Sequence, residues 1–67
     1  MRFGVVKNWD PSKGYGFINT DEDIDVFVHI SDLGAGLKAE EMEEGLYVKF
    51  DVKSDMKGDK AVNVRKA

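Results

Sequence analysis

The chain has 67 residues, no cysteine and a formal charge of 10 − 13 = −3. It is about half the length of a typical domain, so one domain is expected, burying roughly 60% of its unfolded surface, with no disulfide framework and no thiolate metal site. The negative balance excludes attraction of a polyanion by overall charge, so any affinity for nucleic acid has to come from stacking and local cations. Met1 to Lys7 lacks the apolar run of about 7–15 residues that a signal peptide needs, and no segment approaches a membrane span. A cytoplasmic protein with no membrane partner is therefore expected.

Arg2 to Trp9 is rich in β-branched and aromatic residues and ends at the turn-forming cluster Asp10-Pro11-Ser12-Lys13-Gly14. Strict alternation puts Lys7 and Trp9 on one face of this first strand and Val6 and Asn8 on the other; a β-bulge would exchange the later assignments. Tyr15 to Asn19 reads as the second strand, and Asp25 to His29 as the third, with the acidic turn Thr20 to Ile24 between them. Short turns between consecutive strands give an antiparallel meander. Ile30 to Leu33 suits a single helical turn whose Leu33 plugs one end of a barrel. Gly34 to Glu44 reads as a long functional or mobile connection; a helical pattern over Lys38 to Glu44 is the rival reading, with few apolar positions to bury. Leu46 to Lys53 alternates cleanly, with Leu46, Val48, Phe50 and Val52 inward. A polar turn over Ser54 to Asp59 leads to a last strand, Ala61 to Arg65, with Val62 and Val64 inward. Short strands with frequent turns indicate an all-β sandwich or barrel, and so few residues suffice only for a small barrel, of which the five-stranded antiparallel OB-fold β-barrel is the economical choice.

The second strand sits in Lys13-Gly14-Tyr15-Gly16-Phe17-Ile18, which sends Tyr15 and Phe17 to one face and Gly16 and Ile18 to the other. The glycine allows a close backbone approach or a sharp bend beneath the rings. Asp25-Val26-Phe27-Val28-His29 repeats the pattern, pairing Val26 with Val28 and Phe27 with His29. Strands about 4.8 Å apart would join these rings into one platform. Unpaired bases stack on such rings at about 1–3 kcal/mol each with little sequence preference. Core burial is the competing use, but the inward aliphatics already fill a small barrel.

Those two motifs, their spacing, and Glu44-Gly45, Val48-x-Phe50 and Ala61-x-Asn63-Val64 after them resemble the bacterial cold-shock proteins over nearly the whole chain. The resemblance implies a single cold-shock-like OB domain over residues 1–67 that binds single-stranded RNA or DNA and melts weak RNA structure as a chaperone, without ATP. It implies Lys7, Trp9, Lys13, Tyr15, Phe17, Phe27 and His29 as the contacts. Family members usually read Lys-Trp-Phe-Asn where this chain has Lys7-Asn8-Trp9-Asp10, an aromatic usually stands at Ile30, and the nearest candidate for the long loop's ring is Leu37. Asn8, Ile30 and Leu37 are thus possible further contacts, and the absent rings would weaken binding by an order of magnitude or more at about 1 kcal/mol or more each. An OB-fold protein-interaction module with weakened or lost nucleic-acid binding is the alternative.

His29 near Ser31 suggests a nucleophile pair, but no orienting group or oxyanion site accompanies it. Asp21, Asp23 and Asp25 have the first spacings of a calcium loop but lack its glycine, its final glutamate and its flanking helices. A non-enzymatic monomer with no cofactor, no metal and no small-molecule substrate is expected. Lys49, Lys53, Lys57 and Lys60 read as ordinary surface charge, with Lys7 and Lys13 set apart by adjoining the rings.

Overall fold

In the computed structural model, which describes residues 1–56 and 58–67, five strands and two short 3-10 turns make a closed barrel. The strands are β1 (Arg2–Asp10), β2 (Tyr15–Thr20), β3 (Asp25–His29), β4 (Tyr47–Asp55) and β5 (Gly58–Lys66), and the turns are Ile30–Asp32 and Ala39–Glu41. Around the barrel the order is β1-β2-β3-β5-β4. The meander is antiparallel as expected, with Tyr15 opposite His29 and Phe17 opposite Phe27. The closing contact is not: β3 meets β5 in parallel through the single pair Phe27 and Lys60. Lys57, within the polar turn expected over Ser54 to Asp59, lies outside the described residues; the strands run further into that turn than expected, β4 to Asp55 and β5 from Gly58, and the Ser54 hydroxyl donates to Asp59 at 2.7 Å.

The core follows the alternation. Val6, Ile18, Val26, Val28, Val48, Phe50 and Val64 are buried, with Leu33, Leu46 and Val52 packed half-buried against them. Val62 is not among them, and Ala61 takes its place. The reason lies in β5, where the register passes from Lys49 opposite Arg65 to Asp51 opposite Val62. Asn63 there adopts φ 53°, a left-handed conformation that Asn tolerates better than most residues. The extra residue shifts the phase of the pleat, so that Ala61 and Val64 face inward, three apart rather than two.

The connection after β3 is tied down. Leu37 and Met42, isolated among acidic residues, are each only 5% exposed and belong to the same core. The turn Ala39–Glu41 is closed by the Glu41 carboxylate, which accepts the Lys38 backbone N–H at 2.9 Å and also binds the Lys66 ammonium on β5. The long connection expected here is what forms, with the 3-10 turn Ala39–Glu41 in place of the rival helix. Two apolar side chains were enough to seat the segment, at about 1.5–3 kcal/mol for each one buried.

Candidate nucleic-acid interface

β1 carries a bulge at Lys7: Val6 lies opposite Ile18, but Asn8 lies opposite Phe17 and Trp9 opposite Gly16. From that point the faces exchange. Asn8 is exposed beside Phe17, whereas Trp9 turns inward and packs half-buried against the core. The outward placement of Trp9 by strict alternation is therefore corrected, and the exchange of faces that a β-bulge would bring is what forms. The bulge also explains Gly16. A Cβ there would lie 2.2 Å from the Asn8 carbonyl oxygen and 2.9 Å from the Trp9 Cα, so no larger residue fits beneath the rings.

On the outer face of β2 and β3 the rings form a connected array centred on Phe27. Its centroid lies 5.7 Å from Tyr15, 5.8 Å from Phe17 in an edge-on contact, and 6.4 Å from His29. Tyr15 and Phe17 are 36% and 38% exposed; Phe27 and His29 are half-buried. Aromatic pairs at these separations gain about 0.5–1.5 kcal/mol each, which holds the array in shape while leaving faces open to solvent.

His29 has a second task. Its Nδ1 accepts the Ser31 backbone N–H at 3.1 Å and lies 2.9 Å from the Ser31 hydroxyl, capping the turn Ile30–Asp32. With Nδ1 accepting, the neutral ring carries its proton on Nε2. The ring is thereby fixed as part of a cap.

The cations are arranged unevenly. The Lys7 ammonium sits 2.8 Å from Asp25, whose other oxygen accepts from the Asn19 amide at 3.0 Å. The hydrogen bond from Asn19, followed by that from Lys7, holds the Asp25 carboxyl below its ordinary value, and Asp25 in turn raises Lys7. Lys13 is exposed in the turn after β1. Asp10 organises that turn by accepting from the Ser12 hydroxyl and from the N–H groups of Ser12 and Lys13, with its carboxyl lowered, chiefly by Ser12.

Of the further candidates, Ile30 is 43% exposed and lies next to Gly14. Asn8 is exposed, but its side-chain oxygen is engaged by the Phe17 N–H at 3.1 Å. Leu37 is buried, so it is a core residue and not a surface contact. Sequence reading missed a groove of about 440 Å³ running from Phe17, Phe27 and His29 to Ser31, Asp32, Asp59 and Lys60. Only the closure of β3 onto β5 creates it, and neither segment carries a local signal for that pairing.

Residues 2–67 match the family model described as the 'Cold-shock' DNA-binding domain. The chain is 43% identical over 67 residues to a major cold shock protein of Streptococcus pyogenes serotype M1, covering 98% of this chain and 97% of the relative. It is 43% identical over 68 residues to cold shock protein CspC of Bacillus subtilis, covering all of both chains. A cold shock-like protein of Aquifex aeolicus is 47% identical over 64 residues, covering 92% of this chain and 89% of the relative. The barrel, the exposed rings and these matches agree: the chain belongs to the cold-shock domain family and is a nucleic-acid-binding protein of that family.

Proposed function

We propose that this domain binds single-stranded RNA or DNA by stacking successive bases on Tyr15, Phe17, Phe27 and His29, with Lys7 and Lys13 near phosphates, and that it works as an RNA chaperone. The observation that carries the reading is the connected, outward-facing array around Phe27 above a core that is already filled without it. Bases held on these rings gain about 1–3 kcal/mol each, whereas opening a duplex costs about 1.4 kcal/mol per step on average. A few stacked bases therefore offset a few base-pair steps. That is enough to trap weak hairpins in the open form and too little to unwind long duplexes, and it needs no ATP.

Trp9 enters this reading as a support beneath the interface rather than as an open stacking face. The protein acts as a cytoplasmic monomer, without cofactor and without catalysis: the Ser31 hydroxyl and His29 are joined in a cap.

Titration with oligo-U, oligo-dT and duplex DNA, followed by residue-level NMR shifts, tests the proposal. Shifts should concentrate at Tyr15, Phe17, Phe27 and His29 with either single strand and be weak with duplex. Equal affinity for duplex, or shifts confined to other faces, would overturn it.

A further inference from the structure

Beyond β1 the outer surface carries a second pair of rings. Phe3 and Tyr47 stack with centroids 6.0 Å apart and planes 25° from parallel, and Tyr47 is 56% exposed. Exposed Val5 lies opposite Tyr47 in the ladder. The core beneath is closed by Val6, Val48 and Phe50 and does not use these rings. Contiguous exposed apolar surface marks a docking site, and the neighbouring charges indicate its occupant.

Phe3 lies opposite Lys49, and Lys49 opposite Arg65. One outward row across three strands thus carries a ring, an ammonium and a guanidinium. Like charges directly opposite each other are destabilising, and among the described residues neither cation has a salt bridge. The acid two residues along β4, Asp51, faces the N-terminal amine at 3.9 Å. In a chain of net charge −3, unneutralised cations beside stacked rings suit a polyanion that carries flat bases. A second copy of the chain suits them less, since a two-fold pair would bring the same cations together.

The patch is also continuous with the platform. Phe17 and Asn19 are successive outward residues of β2, Asn19 lies opposite Val5, and Val5 opposite Tyr47. The step from β2 to β4 is two strand spacings, roughly 10 Å, and passes Asn19, whose amide donates to Asp23 and Asp25, with Lys7 paired to Asp25 beside it.

We propose that Phe3, Tyr47, Lys49 and Arg65 form a second station for single-stranded nucleic acid, reached by a strand that leaves the platform at Phe17 and crosses β1. The inference rests on the platform reading and adds a length dependence to it: short strands fill the platform alone, and longer ones reach both stations.

The test compares a six-nucleotide with a twelve-nucleotide oligo-dT by fluorescence anisotropy on the full chain. Tyr47→Ala should weaken the longer strand about five-fold or more, the loss expected for one stacked base, and leave the shorter unchanged. Tyr47→Phe should retain both affinities, and Lys49→Gln should weaken only the longer strand. Because Tyr47 lies outside the core, the variants should fold, as an NMR spectrum would verify. Phe17→Ala should weaken both strands; if it is silent while Tyr47→Ala is not, the platform reading fails and the extension falls with it. With Phe17→Ala active, a Tyr47→Ala that changes neither strand, or both equally, overturns the second station alone. So does sedimentation showing a dimer that Tyr47→Ala dissolves with no change in long-strand affinity, since the occupant is then a second copy.

Discussion

The side-chain oxygen of Asn8 accepts the backbone N–H of Phe17 at 3.1 Å, so the position where related chains usually carry a ring is used here to pin a bulge. The outward direction of Asn8, beside Phe17, makes it the natural place to restore that ring. Asn8→Trp should tighten binding to pyrimidine-rich single strands by about 1 kcal/mol or more. It should also cost about 0.5–1.5 kcal/mol of stability through the lost hydrogen bond. Asn8→Ala should show the stability loss without the gain in affinity; parallel oligo-dT titrations and urea melts of the two variants check both parts.

Phe17→Ala and Phe27→Ala should each weaken single-strand binding by about 1–3 kcal/mol in a folded barrel. Val28, fully buried, should behave differently, because Val28→Ala leaves a cavity and costs roughly 2 kcal/mol or more of stability. Urea unfolding alongside titration separates the two classes. Equal stability losses for Phe17 and Val28 would place the rings in the core.

Trp9→Ala should act mainly on stability. A half-buried ring packed on the core loses contacts worth about 2 kcal/mol when truncated, while the outward faces of Tyr15, Phe17, Phe27 and His29 remain. Affinity measured well below the melting temperature should change less than for Phe17→Ala.

The barrel should lose stability in acid. Asp10, Asp25 and Glu41 are held below their ordinary values of 3.8, 3.8 and 4.5 by hydrogen bonds, chiefly from Ser12, Asn19 and Lys66 respectively. A lowered folded-state value means that the unfolded chain takes up protons first, so the stabilisation is fully present above about pH 4.5 and is lost as pH falls through the folded values. Lys7, raised from 10.5 by Asp25, has the opposite sign, and its contribution is lost as pH rises beyond its folded value. Denaturant midpoints at neutral pH and at stepwise lower pH should fall below about pH 4, and Asp25→Asn should make that fall shallower.

Binding of short strands should depend only weakly on salt. If two or three lysines reach phosphates, the slope of log K against log salt is about −1.5 to −2, from about −0.7 per phosphate on a single strand. Titrations of a six-nucleotide oligo-dT across a salt series measure it, and a slope near −6 would show a longer cationic track.

All five strands were legible in the sequence, in Arg2 to Trp9 and Ala61 to Arg65 without their full facing, and most sharply where alternation is bracketed by turn-formers, in Tyr15 to Asn19, Asp25 to His29 and Leu46 to Lys53. Those same stretches carry Tyr15, Phe17, Phe27 and His29, so most of the ring array was legible with them. What escaped depends on pairing at a distance. The bulge at Lys7 is set by how β1 meets Phe17 and Ile18, and nothing local to Lys7-Asn8-Trp9 reports it. Asn63 did offer a cue, an Asn inside a strand pattern, for the phase shift that brings Ala61 inward. Leu37 and Met42 show no period because each is a single anchor in an irregular segment, and the groove wall at Asp32 and Lys60 exists only once β5 reaches β3.

The contact that shuts the barrel is its narrowest: β3 and β5 share one ladder pair, and its members are Phe27 and Lys60. The ring at the centre of the array therefore stands on one lip of a seam, with Lys60 on the other, and the groove runs along the join. A nucleotide strand bound as proposed would touch both lips and stitch them together, so that opening of the seam and departure of the ligand would become one coupled event.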